Sequence, residues 1–313
     1  MNFQQLRAVR ETVRQNLNLT EAAARLFTSQ PGVSKQIREF EDELGVTIFV
    51  RRGKRFVALT DPGRAIVQVI ERVLLEADNL KRVATNFSAA DEGELRIATT
   101  HTQARYSLPE VVTEFKRRYP KVHLSLHQGN PSQVAAWVLQ GEADVGIATE
   151  ALDNYAGLAA LPGYTWTHTI VAPHAHPLFT ERAITLEALA RYPIVTYDAA
   201  FTGRTHIDAA FAARELEPDV VIAAIDADVI KTYVELGIGV GIIASMAYDV
   251  ERDKALKAVD ARHLFPVNTT RVAVRRGGFL ADFMYDFIER FASPLTRKVV
   301  NQALAGDAES YEL

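Results

Sequence analysis

Along the first ninety residues, apolar side chains recur every three to four positions. Phe3, Leu6, Val9, Val13 and Leu17 share a face, which predicts an amphipathic helix over residues 3–16. Thr20 stands where a cap would open a short alanine-rich helix from Glu21 to Leu26. After a turn at Phe27-Thr28, Ser29 is placed to cap a third helix, with Pro31 tolerated in its first turn. Val33, Ile37, Phe40, Glu41 and Leu44 lie on or near one side of that helix, and Gly45 ends it. The stretch IFVRRGKRFVALT then reads as two short β runs around Gly53. From Pro62, apolar residues at Ile66, Ile70, Val73, Ala77, Leu80 and Ala84 alternate steps of four and three, the seam of a heptad. Such a helix of about 25 residues spans about 37 Å.

Beyond Gly93 the pattern changes to strands alternating with helices. ELRIATT, VHLSLHQG and ADVGIAT are strands, separated by a helix through Leu108, Val111, Val112 and Phe115 and by the helix PSQVAAWVLQG. A second set follows: TIVAPH, a helix near 185–191, PIVTY, a helix from about 203, VVIAAI, the helix DVIKTYVELG, and VGIIA. The returning strand TTRVAVRRG and the helix FLADFMYDFIERFA are expected to rejoin the first set. Two similar α/β lobes imply a clamshell with a ligand at the carboxyl ends of strands. The fold class is therefore α plus α/β. The expected domains are residues 1–61, a helical module with a β hairpin; 62–90, a linker helix; and 91–313, a two-lobed α/β domain. Lobe I takes about 91–162 and 266–295, and lobe II about 163–265. The small, polar segment from Ser88 to Gly93 is the expected boundary.

Composition narrows the classes. The 313 residues are 48% hydrophobic and 24% charged, too apolar for a disordered chain. No run of about 18 uncharged apolar residues appears, so no membrane partner is expected. The polar, periodic N-terminus does not read as a signal peptide, and the expected compartment is the cytoplasm. With no cysteine there is no disulfide, thiolate metal site or cysteine nucleophile. The net charge of −4 hides an asymmetry: residues 1–90 carry 14 lysines and arginines against 10 acidic residues. A basic N-terminal third in an acidic chain points to a polyanionic partner for that module.

The third helix carries Gln30, Ser34, Lys35 and Arg38 near its start, on faces away from the apolar one. A helix presenting amide, hydroxyl and cationic tips at its N-terminal half is what major-groove reading requires. The turn after it holds Arg51, Arg52, Lys54 and Arg55, a cationic wing suited to phosphate contact rather than a merely solvated turn. The run AAARLFTSQPGVSKQIREFEDELGVTIFVRRGKRFVALTDPG resembles the winged helix-turn-helix of LysR-type transcriptional regulators. That resemblance implies that Gln30, Pro31, Ser34 and Lys35 meet double-stranded DNA, with Ser29 and Arg38 beside them and Arg51 and Arg55 toward the backbone. It also implies paired chains, a dimer of dimers, and contact with RNA polymerase.

In the sensor, Thr99-Thr100-His101-Thr102-Gln103 follows a strand and leads into a helix, Thr149 ends a strand, and Thr202-Gly203 opens a helix. Hydroxyls, an amide and helix-start N–H groups converging on one cleft suit a small anion held without a countercharge. Each threonine is also an ordinary helix cap, and Trp166 is either a wall of the cleft or core. TTHTQARYSLP, FTGR and DADVIKTYV are similar to the sulfur-assimilation branch of the LysR family, the CysB/Cbl group. By that resemblance Thr100, Thr102, Gln103, Thr149 and Thr202 line the effector site, with Trp166 adjacent. The implied effectors are N-acetylserine or O-acetylserine, for an activator of cysteine-biosynthesis genes. Sulfate or adenosine phosphosulfate is the alternative, for a regulator of sulfonate use. The motif does not choose between them, and no further cofactor is implied.

Other signals carry less. Gly237, Gly239 and Gly241 follow a helix and enter a strand, the reverse of a dinucleotide loop. His174 and His176 have no third ligand nearby and read as loop. Asp226 and Asp228 read as caps of the next helix, and GDAESYEL as an acidic tail. No G-x-S-x-G, P-loop or H-E-x-x-H motif occurs, so an enzyme is not expected. A solute-binding protein without a DNA role is the competing class, which the helix-turn-helix opposes.

Overall fold

A computed structural model describes residues 1–53, 55–88 and 92–306, leaving out the side chains of 85–88 and of Thr202. Lys54, part of the boundary segment and most of the acidic tail lie outside the described residues. The chain divides into two compact units, Met1–Ala84 and Thr85–Leu313.

The first unit opens with α1 (Phe3–Arg14), α2 (Leu19–Arg25) and α3 (Gln30–Leu44). Asn2 and Gln5 form a capping box on α1. Asn18 caps α2 in place of Thr20: its side chain accepts the amides of Thr20 and Glu21 at 3.0 and 3.3 Å. The chain reaches that geometry because Asn16 and Leu17 both turn through left-handed conformations, which shortens α1 by two residues. Ser29 caps α3 as expected, and Gly45 ends it at φ +66°. Strands β1 (Phe49–Arg52) and β2 (Arg55–Leu59) form the antiparallel wing. Leu6, Val9, Val33, Ile37, Phe40, Ile48 and Phe49 fill the core, with Phe49 stacked on Phe56 at 4.4 Å. The long helix α4 (Asp61–Ser88) splits its heptad seam. Ile70 and Leu74 are buried in the module and Ile66 and Val67 pack against it. Val69, Val73 and Leu80 remain exposed.

In the second unit, β3 (Gly93–Thr99), a π-helical turn (Gln103–Ser107), α5 (Leu108–Arg118), β4 (Val122–Gln128), α6 (Pro131–Gln140), β5 (Val145–Thr149) and β6 (Leu158–Trp166) build most of lobe I. Lobe II follows with β7 (His168–Pro173), α7 (Leu186–Leu189), β8 (Ile194–Tyr197), α8 (Thr202–Ala212), β9 (Val220–Ala224), α9 (Ala227–Glu235), β10 (Val240–Ala244) and β11 (Leu256–Asp260). The chain then returns to lobe I as β12 (Asn268–Arg275), α10 (Asp282–Phe291) and α11 (Arg297–Ala305).

Lobe I has strand order β4-β3-β5-β12-β6 and lobe II β11-β7-β10-β8-β9. In each sheet four strands run the same way and one runs against them, β12 in lobe I and β7 in lobe II. Only Thr167 separates the last strand of one lobe from the first of the other. The crossing thus falls a few residues beyond the expected 162/163, because β6 had no sequence signal. Pro162 and Gly163 in its middle read as a turn. They are tolerated because β6 is an edge strand, and its register against β12 shifts between Thr270 and Arg271, opposite that pair.

Candidate functional sites

The N-terminal unit presents the set expected at DNA. Gln30, Pro31, Lys35 and Arg38 are exposed on α3, and Ser34 is half-buried. Lys35 makes only a loose pair with Glu39 at 3.7 Å, so its ammonium is available to a phosphate or base edge. Ser29 spends its hydroxyl on the amide of Gly32, 3.2 Å away. Gln30 and Arg55 line one groove of about 380 Å³ with Leu17, Asn18, Leu19, Thr20 and Phe56, which joins the recognition helix to the wing. Arg52 is exposed beside it. Arg51 is placed differently from its wing neighbours: its guanidinium donates to Glu41 at 2.5 Å and lies over the Phe56 ring. The same carboxylate, buried at the end of α3, accepts the amides of Ile48 and Phe49 at 2.7 and 3.0 Å. Through this pair Arg51 ties wing to helix. Sequence periodicity had put Glu41 on the inner face without giving it a partner.

In the second unit five of the anticipated effector residues line a single cavity between the lobes. Thr100, Thr102, Gln103, Thr149 and Trp166 face it from lobe I; Tyr197, Phe201, Gly203 and Ala244 face it from lobe II. Thr99, Thr149, Trp166, Tyr197 and Ala244 each end a strand, so the cavity sits at the carboxyl ends of both sheets. The backbone of Thr202 opens α8 there, and its side chain lies outside the described residues. Among the described residues, none of the lining side chains is charged. The cavity measures about 30 Å³, room for about two waters.

Gln103 is fixed by its neighbours: its Nε2 donates to Thr270 at 3.0 Å, and its Oε1 accepts the hydroxyl of Tyr164. Burial pushes the Tyr164 hydroxyl up from its ordinary pKa, which keeps it a donor. Tyr197 is likewise pushed up by burial, to about 12, and accepts the amide of Ala244 at 3.0 Å. Trp166 is buried, and its Nε1 has no hydrogen-bond partner among the described residues. A buried donor without an acceptor is costly unless a ligand supplies one. Beneath Gly203, His168 is buried and held down to about 4, by desolvation first and by His206 second. A Cβ on Gly203 would stand 3.2 Å from Trp166 and 3.3 Å from His168.

Phe201 also walls a second chamber of about 210 Å³, lined by His101, Gln128, Gly129, Asn130 and Gln133 from lobe I and by Asp198, Ala200 and Ile225 from lobe II. Asp198 supplies the one carboxylate among its described lining residues. Sequence reading missed Tyr197, Phe201 and Ala244, whose only signal was their place at strand and helix ends.

The caps and histidines separate. Asp226 caps α9, accepting the amide of Val229 at 2.8 Å. Asp228 is no cap: it accepts the Tyr106 hydroxyl at 2.6 Å and Arg105 at 3.3 Å, both from lobe I. His174 meets the carbonyl of Lys254, and His176 accepts the amide of Leu178. Among the described residues no group of three metal-ligating side chains occurs, and no helix is long and apolar enough to cross a membrane.

A winged helix-turn-helix followed by a two-lobed α/β sensor is the architecture of a ligand-responsive DNA-binding regulator. The chain belongs to the LysR family: residues 3–64 match its bacterial regulatory helix-turn-helix and residues 88–294 its substrate binding domain. It is 60% identical to the HTH-type transcriptional regulator SsuR of Burkholderia cenocepacia, over 94% of this chain and 96% of that one. It is 56% identical to the HTH-type transcriptional regulator CysB of the same organism over the full length of both. The crystal structure of the cofactor-binding domain of the Cbl transcriptional regulator superposes with a TM-score of 0.66 at 43% identity, covering 68% of this chain and 93% of that one. These relatives are sulfur-related LysR regulators, not enzymes, and regulators of the family bind DNA and form oligomers. The solute-binding alternative without a DNA role is set aside.

Proposed function

We propose that this protein is a cytoplasmic activator of sulfur-acquisition genes, switched by a small anion of the sulfur pathway. The observation that carries the reading is the uncharged cavity on which Thr100, Thr102, Gln103, Thr149 and Trp166 converge. Neutral donors at strand and helix ends hold an anion through dipoles alone, and the orphaned Trp166 indole adds a donor. N-acetylserine or O-acetylserine would place a carboxylate there. Sulfate or adenosine phosphosulfate would place a sulfuryl group there, with the adjoining chamber offering a nucleoside space. Winged units read paired half-sites, the exposed Val69, Val73 and Leu80 of α4 join two chains, and sensors assemble a dimer of dimers that contacts RNA polymerase. Effector binding acts by its differential affinity for two arrangements of that assembly.

Calorimetric titration with the four candidate ligands tests the reading, repeated on Thr102→Ala and Lys35→Ala. Thr102→Ala should weaken the effector about tenfold and leave DNA affinity intact, and Lys35→Ala should do the reverse. Heat from none of the four ligands would remove the cleft assignment while leaving the family role in place.

A further inference from the structure

Helix α2 closes on Phe27. The amide of Thr28 donates to the carbonyl of Ala23 at 3.0 Å, and that of Phe27 to Ala24 at 3.2 Å. These are the paired bonds of a helix end that turns through a left-handed residue, and Phe27 is that residue, at φ +51°. The chain closes α1, α3, α6 and α9 in the same way, and there Asn16, Gly45, Gly141 and Gly237 hold the left-handed place. At α8 the exposed, polar Glu215 holds it.

A Cβ in this conformation is unfavourable, which is why glycine and asparagine dominate it. Phenylalanine gains nothing back by packing, since Phe27 is 97% exposed, more than any other large hydrophobic side chain described. Local conformation and core burial both select against it. A contact outside the chain's own fold is left to account for the ring. Two residues further on, Ser29 caps α3, and Thr28, Gln30 and Pro31 are exposed around that start. In helix-turn-helix proteins the N-terminal end of the second helix meets the base edges. The apolar feature of the major groove within reach of such an end is the thymine C5-methyl group.

We propose that Phe27 is a sequence-reading residue of the DNA interface, covering a thymine methyl group at one position of each half-site. It adds apolar readout to the polar set on α3 and explains an aromatic ring where helix closure asks for glycine.

The test uses the full chain and duplexes recovered by in-vitro selection with it from a randomised library. Phe27→Gly, which suits the left-handed backbone, should hold or raise Tm while weakening the selected duplex about tenfold. Repeating the selection with that variant should lose one thymine per half-site. Deoxyuridine at that thymine, which deletes only the methyl group, should cost the wild type about fourfold and the variant nothing. The proposal is overturned if the deoxyuridine duplex binds the wild type as well as the thymine one. An equal loss on selected and non-specific duplexes would overturn it too, as would a lowered Tm, which would make Phe27 structural. A change in oligomeric mass with intact DNA affinity would instead give the ring to a second copy of the chain.

Discussion

The hydroxyl of Tyr106, in the π-helical turn of lobe I, donates to the carboxylate of Asp228 on α9 of lobe II at 2.6 Å. Arg105 reaches the same carboxylate at 3.3 Å, and Lys231 holds it from beneath at 3.4 Å. That turn begins at Gln103, which lines the inter-lobe cavity, so one short segment both faces that cavity and ties the lobes together. A ligand that drew the lobes together on that cavity would act on the Tyr106–Asp228 bond as well.

Tyr106→Phe removes the bond while keeping the ring. About 1 kcal/mol of closed-state stability should go with it, discounted from a charged bond's worth because Asp228 is partly open to water. Calorimetry should register about a fivefold weaker effector, with the stoichiometry unchanged. An unchanged Kd would mean that the bond plays no part in closure.

Arg51, expected at the DNA backbone, is paired with Glu41. Arg51→Ala should lower the melting temperature of the N-terminal unit and leave the salt dependence of DNA binding as it was. Arg55→Ala should reduce the log–log salt slope by about one and leave the melt unchanged. Glu41→Gln should cost that unit about 2 kcal/mol, since a buried carboxylate accepting two amides and a guanidinium is replaced by a weaker acceptor.

His168 sets an acid limit on the sensor. Its folded-state pKa, about 4, lies below the 6.5 of an unfolded histidine, so between these values the unfolded chain binds the extra proton. The stability tied to a neutral His168 is complete above about pH 6.5 and is lost as pH falls toward 4. The loss should reach about 3 kcal/mol and go no further below that. Denaturant melts of the wild type and His168→Asn across this window should diverge by that amount. Parallel curves would refute it.

Gly63 marks a close approach of α4 to Ile48, the residue just before β1. A Cβ there would stand 2.2 Å from the carbonyl oxygen of Ile48, a backbone atom that cannot swing aside. Gly63→Ala should unfold the N-terminal unit at a temperature where the sensor survives, seen as two separated calorimetric transitions. DNA binding should fall with the first transition and effector binding with the second.

What the sequence made legible follows the range of the interactions. Ser29 and Gly45 were readable because capping is settled within a turn of chain. The threonines of the cleft were readable because strand ends in α/β sheets converge, wherever their partners lie. Asp228 was misread as a cap, because its partner Tyr106 stands 122 residues away. Asn18 lost out to Thr20 because the left-handed pair before it leaves no hydrophobic trace. Strand β6 disappeared behind Pro162 and Gly163, whose tolerance depends on an edge position that only the finished sheet defines.

The placement of β12 has a consequence for synthesis of the chain. That strand lies between β5 and β6 in the sheet of lobe I, yet it is made after the whole of lobe II. On the ribosome, the DNA-reading unit and then lobe II have all their residues while lobe I still has a gap inside its sheet. A message truncated after residue 265 would therefore yield a chain with its helix-turn-helix unit and lobe II whole, and with β5 and β6 left without the strand that joins them.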